Sequence, residues 1–437
     1  MELVKSELFG SSASAMSSPN VYLAPMVDGS EAAFRLLCRQ HGIKTCYTPM
    51  LRDSQIIKLL SSKSLTPPPR IIPNDRPLIV QLCGRQPSQL AAAAKALLTH
   101  YNGQIDGIDL NLGCPQEIAL KEGIGAYLAE DQALTCECVQ ALKESVKVCN
   151  ISIPISCKIR LVTPNTEEEE QKKGKDIVID KETAGEEIDR PGREMDTAID
   201  IIPELTTTTV TSATIAFAKR LQAAGCDLLA VHCRSRLSKH NGLPDLVTGA
   251  ALVKALDIPV IINGGISNLD DVHNTLRITK AHGVMIAQGL LTNHRLLYPT
   301  NTMDTSVQTL AAEYLDFCEK ILPPSPYYIR KHLRWMFRAE LQGPSPNASK
   351  QWKKQWQSEP WRNKLWHLIS RNNLTSLWQF RQMIHLYCIF SKINQADIPL
   401  SVSVLDYPTF KSIRYKKGKR GNGKLRKNAV YSYQHLN

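Results

Sequence analysis

The 437 residues contain no run approaching the roughly 18 consecutive apolar residues that a membrane-spanning helix needs. The Ser-rich N-terminus has no apolar core of a secretory signal, and its first 20 residues carry Glu2, Glu7 and only Lys5. Both absences predict a soluble intracellular protein without membrane contact. The 12 cysteines include no Cys-x-x-Cys pair. The nearest approach, Cys136-x-Cys138, lacks a second ligand pair, which argues against zinc or any other metal. Several lie inside apolar runs, as Cys83, Cys157 and Cys388 do, and read as reduced, buried small hydrophobes. No Gly-x-Gly-x-x-Gly follows the first candidate strand, which counts against a dinucleotide-binding doubly wound sheet.

What is present in excess is positive charge, and it is unevenly placed. The net charge is +12. From Asn301 onward there are 22 Lys and Arg against 8 Asp and Glu, whereas the first 300 residues hold 31 against 33. A near-neutral body with an appended polyanion-binding region accounts for that split.

Between residues 20 and 300, eight short Val/Ile/Leu-rich runs alternate with helical patterns. The runs are Val21–Met26, Thr45–Met50, Leu78–Leu82, Gly107–Asn111, Ile155–Arg160, Asp227–Cys233, Val260–Asn263 and Val284–Ala287. Largely continuous apolar runs fit parallel strands buried on both faces. Eight strand–helix units predict an α/β fold, a (β/α)8 or TIM barrel, with a doubly wound sheet as the alternative. Residues 163–212 break the rhythm with Glu167–Glu170 and a Thr-rich stretch and read as a disordered insertion. Residues 1–19 read as a flexible N-terminus. Segments 306–322, 326–341 and 359–390 read as helices of a small all-helical domain at 305–395, followed by a basic, flexible tail at 396–437.

Functional groups of such a barrel gather at the C-terminal ends of its strands. There the sequence places Pro25 and Met26, Gln81, Asn111 with Cys114 beyond it, Lys158 and Arg160, His232 with Arg234 and Arg236, Asn263-Gly264-Gly265, and Ala287-Gln288-Gly289. The Asn263-Gly264-Gly265 turn before a helix suits a phosphate, because glycines let backbone N–H groups approach an anion. A phosphate there sets a mononucleotide such as FMN over the barrel. Gln81 could then meet the edge of its ring, and Lys158 could supply positive charge. Cys114, between glycines beyond a strand end, could be nucleophile, acid, redox switch or a structural thiol. Arg234 and Arg236 alternate, so extended backbone would send them to opposite sides.

Leu23-Ala24-Pro25-Met26-Val27-Asp28, Val80-Gln81-Leu82-Cys83-Gly84, Gly107 through Gln116, Cys157-Lys158-Ile159-Arg160, Val231 through Arg236 and Asn263-Gly264-Gly265-Ile266 occur in an order that resembles the tRNA dihydrouridine synthases. The Gly113-Cys114-Pro115-Gln116 ending resembles the eukaryotic branch acting on positions 16 and 17 of the tRNA D-loop. The resemblance implies FMN held by Pro25, Met26, Val27, Gln81, Lys158, His232, Asn263, Gly264, Gly265, Ala287 and Gln288. It implies Cys114 as the acid that protonates C5 of uracil while hydride reaches C6, with NADPH as reductant. Asn111 positions the base, and Arg160, Arg234 and Arg236 serve the substrate. Two positions depart from the family pattern. Cys233 replaces a usual Gly, so a side chain there is expected to crowd the site, and Gln288 replaces an Arg on the flavin phosphate.

A uridine inside folded tRNA must be flipped out to react. The helical region offers Lys331, Arg334, Arg338, Lys353, Lys354, Arg362 and Arg371 interleaved with Trp335, Trp352, Trp356, Trp361, Trp366 and Trp378. The cations suit phosphates, while the rings either stack on bases or fill a helical core. The Lys411–Lys427 tail reads as an RNA tether or a nuclear localisation signal, giving a cytoplasmic and also nuclear protein. A monomer is expected. The rival readings are a reductase of a free pyrimidine, resembling dihydroorotate dehydrogenases, and an RNA-binding protein with a vestigial barrel.

Overall fold

The computed structural model describes residues 19–61, 72, 74–163, 209–238, 242–299, 302–321, 325–338, 379–381 and 384. The strands are β1 Val21–Leu23, β2 Thr45–Tyr47, β3 Leu51–Arg52, β4 Leu78–Cys83, β5 Gly107–Leu112, β6 Ile155–Leu161, β7 Leu228–Ser235, β8 Val260–Asn263 and β9 Gly283–Ile286. All pairings are parallel, and the chain of neighbours closes through β1 with β9 and β2 with β4. Omitting β3, a two-residue strand appended beside the end of β4, the ring is a (β/α)8 barrel.

Each of the eight predicted strands is present. The first two stop earlier than expected, at Leu23 and Tyr47, because the chain turns at once into loops at the barrel mouth. The helices are α1 Ala32–Gln40, α2 Asp53–Ser61, α3 Pro87–His100, α4 Glu117–Glu122, α5 Gln132–Val148, α6 Thr209–Ala223, α7 Leu246–Ala255, α8 Leu269–Thr279, α9 Gln288–Thr292, α10 Val307–Lys320 and α11 Pro326–Met336. Helix α6 begins inside the stretch read as insertion. Its threonines look like loop because β-branched residues lose rotamer freedom in helices. Here they are anchored: Thr211 Oγ1 lies 2.7 Å from Thr248 Oγ1, and Thr214 Oγ1 donates to the Val210 carbonyl at 2.7 Å.

Strand periodicity sorts the core into layers. Ile108, Leu110 and Leu112 of β5, Ile155, Cys157 and Ile159 of β6, and Leu229, Val231 and Cys233 of β7 face the surrounding helices. The alternate residues point inward. Tyr22, Tyr47, Ile79, Leu228, Ala230, Ile261 and Met285 close the lower barrel with apolar packing. Above them, toward the C-terminal ends, the inward positions become polar.

Helices α10 and α11 share a hydrophobic cluster with the barrel: Leu310, Tyr314 and Cys318 join Phe34 and Leu37, and Ile329, Leu333 and Phe337 join the same group. Two carboxylates, one buried and one half-buried, brace this contact. Glu31, at the start of α1, accepts from Tyr314 Oη and lies 2.8 Å from His332 Nε2. Glu313 of α10 lies 2.7 Å from His41 Nε2, 2.8 Å from His294 Nε2 and 3.0 Å from Arg295 Nε. Those separations are direct hydrogen bonds, shorter than two ligands of one zinc ion would stand, and Arg295 adds a cation on the same oxygen. Trp335 belongs to this packing rather than to an open face. Trp352, Trp356, Trp361, Trp366 and Trp378, the cations Lys353, Lys354, Arg362 and Arg371, all of the predicted helix 359–390 except residues 379–381 and 384, residues 164–208 of the predicted insertion, residues 1–18 and the 396–437 tail lie outside the described residues.

Candidate active site

Inward alternation brings Gln81 of β4, Asn111 of β5, Lys158 and Arg160 of β6, His232 of β7 and Asn263 of β8 to one end of the barrel. Their register is close: Asn111 pairs with Lys158, Arg160 with His232, and His232 with Asn263. Polar groups at this depth require partners, because an unmet donor or acceptor costs about 1–3 kcal/mol.

The partners form a chain rooted in Asp109. Its buried carboxylate accepts from Ser156 Oγ at 2.6 Å and from Gln81 Nε2 at 2.7 Å. Asn111 Nδ2 donates to Gln81 Oε1 at 2.8 Å. Asn111 Oδ1 then accepts the backbone N–H of Gly113 at 3.2 Å and of Cys114 at 3.0 Å. Burial pushes the Asp109 carboxyl up to about 6, although hydrogen bonds from Ser156 and Gln81 and the Lys158 charge pull it down. Asp109 lies within the stretch Gly107 through Gln116, and its signal in the sequence is its inward position two residues before Asn111. Gln81 spends one amide hydrogen and one lone pair on this chain and keeps one of each for a ligand.

Cys114 is half-buried beyond β5. It packs with Cys83, Ala119 and Ile124, and with Met50 and Tyr127 at the edge. Its carbonyl accepts the Ala126 N–H at 3.1 Å, folding the loop back over the turn. Gly125 makes this possible: its φ is +62°, and a Cβ there would lie 2.8 Å from the Cys114 carbonyl oxygen. Arg160 donates to the Gly113 carbonyl at 2.9 Å and to the Ser235 carbonyl at 3.1 Å. Arg236 sits 2.8 Å from Glu130 and 4.8 Å over the Tyr127 ring. Both arginines thus hold the segment that carries Cys114. Gly125 is one of the glycines that follow Cys114 in the sequence, whereas nothing in the sequence marks Tyr127 or Glu130, whose importance lies in contacts with distant strands.

From β6, beside Asn111, Lys158 Nζ reaches across the barrel interior and donates to Asn263 Oδ1 at 3.0 Å, and Asn263 Nδ2 donates to the Met285 carbonyl at 2.8 Å. Burial and the neighbouring Arg160 guanidinium hold the Lys158 ammonium down at about 8. Arg234 Nη1 lies 3.2 Å from His232 Nε2, and its other nitrogens donate to the Gly242 carbonyl. Gly264 and Gly265 have φ of +117° and +75°. A Cβ on Gly264 would stand 3.1 Å from both the His232 ring and Arg234 Nη1. A Cβ on Gly289 would overlap the Ile266 carbonyl, so the turns after β8 and β9 lie back to back. Ala287 precedes α9 and Gln288 opens it. The first loop completes the rim: the Met26 N–H donates to Ser30 Oγ at 3.0 Å, Pro25 is partly covered and Val27 is exposed.

Every strand-end residue expected at the site is therefore at this end of the barrel. One expectation fails. Cys233 does not crowd the site: alternation turns its side chain outward into the helix layer, where its Sγ lies 3.1 Å from the place of a Cβ on Gly249. Backbone N–H groups, two glycine turns, an ammonium, a guanidinium and a half-exposed thiol around one barrel mouth can bind a phosphorylated, flat cofactor and deliver a proton to a substrate stacked on it.

Comparison with known proteins points the same way. The family profile described as dihydrouridine synthase (Dus) matches residues 22–181 and 206–363. A Mus musculus protein named tRNA-dihydrouridine(16/17) synthase (NAD(P)(+))-like is 34% identical over 323 residues, covering 73% of this chain and 55% of that protein. The tRNA-dihydrouridine(16/17) synthase (NAD(P)(+)) of Schizosaccharomyces pombe is 30% identical over 308 residues, covering 70% and 63%. A Homo sapiens tRNA-dihydrouridine(20a/20b) synthase (NAD(P)+)-like protein is 28% identical over 273 residues, covering 62% and 68%. The chain spans 55% and 60% of the length of the first two curated relatives, from mouse and rat. With its barrel, its ordered strand-end motifs and a profile match over most of its length, the chain belongs to the dihydrouridine synthase family.

Proposed function

We propose that this protein reduces the C5–C6 double bond of a uridine in tRNA, with FMN as cofactor and NADPH as reductant. The observation that carries the reading is the Cys114 turn, fixed by Asn111 beside Lys158 at the same barrel mouth as the two glycine turns. The tRNA substrate and nicotinamide reductant are supported by the names of the relatives.

FMN fits the residues present. The Gly264-Gly265 turn leaves backbone open beside His232 and Arg234, a donor set for a phosphate. Gln81 retains one donor and one acceptor for a ring edge that carries both. The Lys158 ammonium supplies positive charge in a desolvated mouth. Pro25, Met26, Val27, Ala287 and Gln288 border the same opening. Bound FMN would supply the hydride that adds to C6 of uracil.

Hydride addition leaves an electron pair at C5, stabilised by the adjacent carbonyl, and a proton must arrive there. Cys114 Sγ gives up that proton and is re-protonated from solvent, which its half-exposed position permits. Asn111 keeps the Cys114 backbone in place. Arg160 and Arg236 serve the substrate through the loop they hold, and Arg234 through the anion site beside His232. Lys331, Arg334 and Arg338 on and just beyond α11 lie on the basic part of the chain and supply phosphate contacts. Belonging to this family sets the free-pyrimidine alternative aside.

The test is purification and reconstitution. The protein should take up FMN with its yellow absorbance and form dihydrouridine in tRNA lacking it when given NADPH. A protein that takes up no FMN and leaves such tRNA unchanged overturns the reading.

A further inference from the structure

A cavity of about 270 Å³ adjoins the Cys114 loop, and its lining includes none of the polar strand-end residues of the barrel mouth. It is lined by Arg52 and Asp53 where β3 enters α2, by Cys83 and Gly84 at the end of β4, and by Arg85 and Gln86 before α3. Cys83 and Ile124, which also line it, belong to the apolar patch against which Cys114 packs. One layer of side chains thus divides the cavity from the thiol.

Asp53 is the unusual feature. It is only 6% exposed, yet its single hydrogen bond among the described residues is from the Ser54 N–H to Oδ1 at 2.6 Å. Oδ2 has no hydrogen-bond partner among the described residues. A Cβ on Gly84 would overlap it, so the carboxylate fits only because residue 84 is glycine. Burial raises the Asp53 carboxyl above its ordinary value. Its carboxylate lines the cavity, and an oxygen without a protein partner there can accept donors from a ligand. Arg52, bridged to Glu122, and Arg85, which donates to the Gly123 carbonyl at 3.0 Å, bring guanidinium groups to the same cavity.

We propose that this cavity is a subsite for a guanosine of the RNA near the reacting uridine, its base read by Asp53. The proposal rests on the RNA substrate argued above. A carboxylate offers acceptors only. Guanine alone among the common bases presents two adjacent donors, N1–H and the 2-amino group, which match the two oxygens of one carboxylate. Cytosine and adenine set an acceptor beside their amino group, which a carboxylate repels, and uracil offers one N–H between two carbonyls. Recognition of splayed bases on this edge is a common mode of RNA reading, and planar guanidinium groups stack on bases or meet phosphates. The volume accommodates a base. Asp53 is a specificity-determining residue here, since it touches neither the uracil nor the thiol.

Two measurements test it on the full chain loaded with FMN. The first titrates GMP, IMP and AMP against the wild-type protein and Asp53→Asn, with flavin content as the check of folding. GMP should bind best, and both IMP, which lacks the 2-amino group, and the Asp53→Asn change should weaken binding by about tenfold or more. The second replaces each D-loop guanosine of a tRNA transcript by inosine. One replacement should raise KM for the wild type by about tenfold and have little further effect on Asp53→Asn, with kcat less affected. Equal binding of GMP and AMP, no binding of GMP, or GMP affinity unchanged by Asp53→Asn overturns the proposal. If no transcript is reduced by the wild type, the uridine-reductase reading fails, and nucleotide binding alone decides the subsite.

Discussion

The side-chain oxygen of Asn111 accepts the backbone N–H of Cys114 at 3.0 Å, so the last inward residue of β5 holds the turn that carries the thiol. The same asparagine donates to Gln81, which donates to Asp109. The position of Cys114 is thereby fixed from the barrel interior rather than from the loop alone. Replacing Asn111 by Ala removes its bonds to Cys114 and Gln81 and the one from the Gly113 N–H, a loss of about 2 kcal/mol in placement of the thiol. Turnover should fall by roughly 30-fold with flavin content retained, as single-turnover kinetics would show.

Lys158 gives a pH dependence of determined sign. Its ammonium persists in the folded chain only below about 8, against 10.5 for an unperturbed lysine. The cost of burying that charge is fully present below pH 8 and is relieved as pH rises toward the ordinary lysine value, so this group alone makes the flavin-free protein more stable across that window. Affinity for the phosphorylated cofactor should run the opposite way, weakening as pH rises through about 8. Fluorescence titration of FMN should show that inflection in the wild type and not in Lys158→Met.

Asp109 provides the matching acid case. Its folded value of about 6 lies above the ordinary 3.8. The folded chain therefore binds the proton more tightly, and the stability it gains from this group is complete below pH 3.8 and lost as pH rises through 6. Chemical denaturation of Asp109→Asn should lack that slope. Asp109→Ala instead leaves Ser156 Oγ and Gln81 Nε2 without their acceptor, and should cost about 2–4 kcal/mol.

Gly125→Ala should act at the loop. Its positive φ and the close Cys114 carbonyl penalise any Cβ, so the loop must shift. Turnover should drop while FMN affinity, set by strand-end side chains and glycine turns that do not contact Gly125, changes little. Parallel measurement of kcat and FMN binding separates the two.

Much of this was legible in the sequence because a buried parallel barrel writes itself as short apolar runs, and a polar residue ending such a run stands out. Gln81, Asn111, Lys158, His232 and Asn263 were found that way. Asp109 was hidden within a strand, where only the inward parity of its position reveals it. The outward direction of Cys233 follows from the same parity, and the expectation of crowding came from comparing letters instead of faces. That Arg160 and Arg236 hold the Cys114 loop is hidden in the sequence, because their partners, the Gly113 carbonyl and Glu130, lie 47 and 106 positions away in a chain whose folding alone brings them together. The contact between α10, α11 and α1 was likewise invisible, since Glu31 and His332 are 301 residues apart.

The most direct test of the central claim is the rate of NADPH-dependent dihydrouridine formation in tRNA by Cys114→Ala, measured beside its flavin absorbance. The proton-donor role predicts that FMN stays bound while turnover falls by about 100-fold or more. Turnover equal to that of the wild type would contradict it.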